Sequence, residues 1–168
     1  SQKNFKDLIT AWKTVDARHP DWKLSVYGDG SQKESLQDQI DSMGLKGKVT
    51  LKGRTNDVRK ELLGSSCLVM SSRFEGFPMI LLEALATGLP IVSYDCPKGP
   101  SEIVTIGANG YLAKVGDTGT LAQGICSVIA NEELRKRFGA ESKRRSENFS
   151  LEKTMEKWDA LFKSALKR

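Results

Sequence analysis

Apolar residues at Phe5, Leu8, Ile9, Trp12 and Val15 recur at helical spacing, which predicts an amphipathic helix over roughly 3–18. A short strand over 23–27 follows and ends at Gly28-Asp29-Gly30. Ser31 can cap a second helix reaching about Met43, with Gly44 closing it. A strand from Val49 to Leu51 ends at Gly53, and Thr55, Asn56 and Asp57 offer caps for a helix through Leu63. Cys67 to Met70 reads as a buried strand, Pro90 to Tyr94 as another, and Tyr111-Leu112 as a short third. Between them lie the most apolar helix-like run, from Pro78 to Gly88, and a short helix from about Gly99. Asp117 and Asn131 then start two more helices, the second highly charged.

Strands alternating with helices predict an α/β fold with a mostly parallel sheet, in one domain over 1–168. Ligands in such sheets bind at the carboxyl ends of the strands. Three loops converge there: Gly28-Asp29-Gly30, Gly53-Arg54-Thr55 and the run from Ser71 to Gly76. A lone Gly-x-Gly adds little, because a strand-to-helix turn needs glycine anyway. The last helix, expected over 151–167, carries a narrow stripe of Leu151, Met155, Trp158, Phe162 and Leu166. Packing on its own protein is the expected use of that stripe, and a membrane surface the alternative.

The candidate chemistry sits in SSRFEGFPMILLEALATGLP, residues 71–90. Glu75 lies in a Gly- and Pro-containing loop, and Glu83 lies among Ile80, Leu81, Leu82, Ala84 and Leu85. A carboxylate in so apolar a run is expected to be buried, hence paired, hydrogen-bonded or used. A helix N-terminus after such a loop offers free N–H groups and a positive dipole end, a seat for phosphate. Carboxylates repel phosphate but accept hydrogen bonds from hydroxyls. Phosphate and hydroxyls together describe a sugar nucleotide. A glutamate satisfied internally by an Arg or a backbone N–H explains Glu83 equally well.

The composition, 39 % hydrophobic and 28 % charged, is that of a globular chain and excludes a disordered one. No apolar run approaches the ~20 residues of a membrane span, and no signal peptide is visible. Cys67, Cys96 and Cys126 are scattered, without zinc spacing or a disulfide framework, so a reducing cytoplasm is expected. The net charge of +5 is concentrated over 135–168, where eleven Lys/Arg face five Asp/Glu. A solvated helix face with cations near helix C-termini explains this best. No aromatic residues interleave with the basic ones to stack on single-stranded nucleic acid.

In order along nearly the whole chain, the residues resemble the C-terminal, donor-binding domain of a GT-B glycosyltransferase of the retaining family 4. The carriers are Glu75-Gly76-Phe77-Pro78 with Glu83-Ala84, matching the family's E-x7-E motif, and then Gly88-Leu89-Pro90-Ile91-Val92. Val26-Tyr27-Gly28-Asp29-Gly30, 49–53, Gly99-Pro100-Ser101-Glu102-Ile103 and Asn109-Gly110-Tyr111-Leu112 support it. The resemblance implies a Rossmann-like half of a GT-B fold. It makes Glu75 and Lys3 catalytic, and assigns donor binding to Gly28, Gly53, Arg54, Glu75, Gly76, Phe77, Pro78, Met79 and Glu83. Glu75 would hold the transferred sugar and Glu83 the ribose. Amides from Gly76 to the start of the next helix would hold sugar or pyrophosphate. Arg54 and Gly53 would lie against the base, and Lys3 would stabilise the departing diphosphate. No metal or other cofactor is implied.

Departures from the family pattern are equally informative. Its first strand and the Gly-Arg after it are missing, as is the N-terminal acceptor domain. With that arginine gone, Lys3 alone is expected to contribute little. The implied function is binding of a nucleotide sugar, with UDP the first expectation, for transfer of a hexose or N-acetylhexosamine to a glycan or lipid-linked acceptor of surface polysaccharide. The setting would be cytoplasmic, with peripheral contact at the inner membrane as a use for the basic tail. The alternatives are a GT-B-fold phosphorylase or epimerase, and a non-enzymatic module binding nucleotide or nucleic acid. Half a cleft should leave the chain nearly inactive by itself.

Overall fold

A computed structural model describes residues 2–166. It contains the α/β alternation expected from the periodicity: α1 (Phe5–Arg18), β1 (Leu24–Tyr27), α2 (Lys33–Ser42), β2 (Val49–Gly53), α3 (Val58–Leu63), β3 (Leu68–Met70), α4 (Met79–Thr87), β4 (Ile91–Tyr94), α5 (Pro100–Ile103), β5 (Gly110–Ala113), α6 (Thr118–Ala130), α7 (Glu132–Ser146) and, after a 3-10 turn, α8 (Leu151–Ala165). Asp57, Asp117, Asn131 and Ser150 each accept a hydrogen bond from a backbone N–H three residues on, capping α3, α6, α7 and α8. Ser31 does not act as the expected cap, since α2 begins after Gln32, whose side chain makes no capping bond. Pro78 lies one place outside α4, in extended conformation, and Gly88 closes that helix at φ +73°.

Every strand pairing is parallel, but the sheet is split. Among the described residues β1 pairs only with β2, while β3, β4 and β5 form a second sheet with β4 central. Neighbours on β4 feed opposite faces. Val92 joins a core built from α1, β1, α2 and α6, whereas Ile91 joins Leu62, Leu81 and Leu85 from α3 and α4. Contrary to expectation, Cys67, Leu68 and Val69 are only half-buried, because β3 has a neighbour on one side alone.

α7 clamps the end of α4. A Cβ on Gly139 would lie 2.4 Å from the Gly88 carbonyl oxygen, so the backbones pass close only because residue 139 has no side chain. Beside them the buried Ser142 hydroxyl donates to the Leu89 carbonyl at 2.7 Å. Ser142→Ala leaves that carbonyl without its partner, and urea unfolding should register a loss of about 1–2 kcal/mol. A loss no larger than that of an exposed serine, such as Ser127→Ala, would contradict the clamp.

The basic segment over 135–168 is largely engaged with its own protein. Arg135 donates to the Val128 and Ile129 carbonyls at 2.9 and 2.5 Å and lies over the Trp22 ring. Arg144 grips Glu141 through two bonds of 2.7 Å, and Lys136 reaches both Glu132 and Glu133. Lys143, Arg144 and Arg145 occupy the last turn of α7, where its dipole is negative. The expectation for the last helix fails, however. No described residue of α8 is buried, and Trp158 and Phe162 stack on each other at 5.7 Å in solvent. The helix leaves the body after the extended residue Ser150, so its apolar stripe has no surface of the domain to meet. Residues 167 and 168, within or beside the expected helix, lie outside the described residues.

Candidate functional site

The loops after β1, β2 and β3 meet at the carboxyl ends of the strands. The Gly28 amide donates to the Gly53 carbonyl at 2.8 Å, and Arg54 lies 3.5 Å from Asp29. That ion pair is exposed and steers the loops more than it holds them. The polypeptide before α1 crosses to the third loop. The Gln2 carbonyl accepts from the Arg73 amide at 2.9 Å, and the Ser71 hydroxyl donates to the Lys3 carbonyl at 2.8 Å. This places the Lys3 ammonium 2.8 Å from a Glu75 oxygen, while Gln2 Nε2 lies 3.5 Å from the other.

Lys3 is thus the junction of the site. It borders a cavity of about 220 Å³ over the ends of β1 and β2, lined also by Phe5, Gly28, Asp29 and Gly53. It also borders a cavity of about 620 Å³ between β1 and β3, which Gly28, Arg54, Thr55 and Ser72 reach. Within the larger one, the Tyr27 hydroxyl donates to Glu61 of α3 in a tight hydrogen bond, which raises the phenol's pKa. Lys3, Gly28, Gly53, Arg54 and Glu75 therefore form one connected group.

Glu75 itself lines neither cavity, and the remaining candidates follow it along the loop and α4. Gly76, Phe77, Met79 and Glu83 are exposed, Pro78 is buried, and none of the five borders either cavity. Glu83 corrects the sequence reading, because it is not a buried carboxylate. α4 buries Leu81, Ala84 and Leu85, which leaves Met79, Glu83 and Ala86 on its solvent side. The Glu83 carboxylate makes no hydrogen bond or ion pair with the described residues. Internal satisfaction, the rival explanation, is thereby removed. Phe77 leans on Phe149 with ring centroids 6.3 Å apart.

Two neighbours of Glu75 went unnoticed in the sequence. Gln2 carries no motif that would mark it. The Cys96 thiol is buried after β4, and its pKa is raised by burial and then by the negative charge of Glu75. Burial pushes the Glu75 carboxyl up, but the hydrogen bond of Lys3, then the Ser72 hydroxyl and the charge of Lys3, outweigh this and leave its pKa below the ordinary 4.5. A lowered carboxyl stabilises the fold fully above its ordinary value and loses that contribution as pH falls through the lowered one. The stability difference between the wild type and Glu75→Gln should therefore be largest near neutrality and close in acid. Urea midpoints from about pH 7 to 3 would show this. A gap constant across that range would mean that Lys3 does not hold the carboxylate.

Among the described residues no group of three His, Cys, Asp or Glu side chains could hold a metal ion. No helix of those residues is long and apolar enough to cross a membrane.

Comparison with known proteins gives consistent findings. The family model described as "Glycosyl transferases group 1" matches residues 1–145. An uncharacterized glycosyltransferase of Haemophilus influenzae is 32 % identical over 161 residues, which cover 96 % of this chain and 46 % of that protein. A poly(ribitol-phosphate) alpha-N-acetylglucosaminyltransferase of Staphylococcus aureus is 32 % identical over 163 residues, covering 96 % and 33 %. In three dimensions the chain superposes on a mutant of S. aureus TarM, solved with fondaparinux, alpha-GlcNAc-glycerol and UDP. The TM-score is 0.91 at 30 % identity, again over 96 % of this chain and 33 % of the other. The chain spans less than half the length of each of these proteins.

Proposed function

The chain belongs to the group 1 glycosyl transferases, and from that premise we propose that it is the donor-binding half of a retaining, family 4 enzyme using a UDP-sugar. The observation that carries this reading is the Lys3–Glu75 contact, with a cation and a hydroxyl acceptor 2.8 Å apart at the carboxyl ends of parallel strands. A nucleoside diphosphate sugar presents the matching pair, an anionic phosphate joined directly to a polyhydroxylated ring.

The base and ribose enter between the loops of Gly53-Arg54 and the solvent side of α4, where Glu83 accepts from the ribose hydroxyls. The diphosphate meets the free amides of Gly76, Phe77 and Met79 at the start of α4. Glu75, already ionised and oriented by Lys3, accepts from the transferred sugar. Only one of the three donors of the Lys3 ammonium is used by Glu75, so it can also bond a phosphate oxygen. Lys3 thus neutralises charge building on the leaving diphosphate, which gives it more weight than the sequence assigned to an isolated lysine. The acceptor, a glycan or lipid-linked chain of surface polysaccharide, is held by a second domain. The three free cysteines, two of them buried, suit a reducing cytoplasm.

Isothermal titration with UDP, GDP, ADP and UDP-N-acetylglucosamine tests the reading. UDP and its sugar should bind weakly, ahead of the purine nucleotides. Binding of none, or equal binding of all, would overturn it.

A further inference from the structure

Among the described residues only Asn4 and Lys98 carry a side chain at positive φ. Asn4 directly follows the lysine of the site and enters α1 in the left-handed region, at φ +51° and ψ +44°. That region is costly for a residue with a Cβ, and asparagine enters it more readily than most because its short amide can bond locally. The Asn4 side chain does not cap the helix. Buried instead, it donates from Nδ2 to Asp7 Oδ2 at 2.6 Å. The same oxygen accepts from the Tyr94 hydroxyl at 3.2 Å, and Tyr94 is wholly buried at the end of β4. A chain of bonds therefore runs from the core strand β4 through Asp7 to the residue beside Lys3.

We infer that Asn4, Asp7 and Tyr94 are positioning residues for Lys3, locking the left-handed turn that sets its ammonium against Glu75. The use of Lys3 on a diphosphate rests on the donor-binding reading, whereas its placement beside Glu75 does not. Lys3 has a long, flexible side chain, about half of it exposed, so packing does little to orient it. Its backbone must do so, and that backbone is held on both sides. The Ser71 hydroxyl fixes the Lys3 carbonyl, and the Asn4 side chain fixes the turn that follows. The Tyr94 hydroxyl has one proton to donate, and it goes to Asp7. Phenylalanine would fill the same place in the core without that bond. With the tie gone, residues 2–4 can leave the left-handed turn. The ammonium then swings away from the Glu75 carboxylate and from the diphosphate that it neutralises.

Carbon-13 NMR titration of the Glu75 carboxyl in Lys3→Ala, Asn4→Gly and Tyr94→Phe tests this. Lys3→Ala should raise its pKa, because against the upward push of burial the hydrogen bond and charge of Lys3 help to hold it down. Asn4→Gly and Tyr94→Phe should each raise it in the same direction. Glycine enters the left-handed region freely, so the melting temperature of Asn4→Gly should hold while the carboxyl moves. Neither substitution should add a further shift to Lys3→Ala, since both act through the lysine. Asp7→Asn keeps an oxygen for both donors and should stay nearer the wild type than Asp7→Ala. A carboxyl unmoved by Asn4→Gly or by Tyr94→Phe, or a shift that persists in the Lys3→Ala background, would overturn the inference. The carboxyl is read without nucleotide. Failure of the wild type to bind UDP would therefore count against the donor-binding reading alone, and UDP binding with an unmoved carboxyl against the positioning alone.

Discussion

Glu83→Ala should lower UDP affinity about tenfold to a hundredfold while leaving the melting temperature unchanged. A carboxylate accepting from ribose hydroxyls makes charge-assisted bonds worth about 1.5–3 kcal/mol, which corresponds to that factor. Stability should not move, since the side chain lies on the exposed side of α4 and bonds to no described residue. Alanine also favours helix slightly over glutamate. The two measurements therefore separate a ligand role from a structural one. Unaltered affinity would remove Glu83 from the site, and a fall in melting temperature would show it to be a packing residue.

Gly99→Ala should destabilise the fold by about 2–4 kcal/mol and weaken UDP binding as well. Gly99 precedes α5 with φ +103°, a conformation costly for any residue with a side chain. A Cβ there would also sit 2.3 Å from Pro78 Cδ, the residue that opens α4. The methyl group can be accommodated only by moving the turn that aims the amides of Gly76, Phe77 and Met79. Circular dichroism melts and UDP titration measure the two effects. A stable variant with intact affinity would mean that the 99 loop does not set the start of α4.

Much of this was legible in the residues. The period of α1, the caps Asp57, Asp117 and Asn131, and the loops at Gly28, Gly53 and Glu75 all follow from local chemistry. Glu83 was misplaced because the run around it is apolar almost throughout, and total hydrophobicity hid the direction of its helix. The signal was present all the same, since Met79, Glu83 and Ala86 recur at helical spacing and form the one exposed stripe of α4. The isolation of α8 was not legible, because an amphipathic stripe specifies that it needs a partner but not where that partner lies. Nor was the Lys3–Glu75 pair readable from sequence alone, for it joins residues 72 positions apart through the pairing of Gln2 with Arg73.

The central claim is that one nucleotide sugar spans the Gly53 loop, Glu83 and the amides at the start of α4. A proton–nitrogen NMR titration with UDP tests it most directly. Shifts should concentrate at the amides of Gly53, Arg54, Gly76, Phe77, Met79 and Glu83, saturating together along one binding curve. Shifts confined to the basic faces of α7 and α8, or two groups saturating at different concentrations, would contradict it.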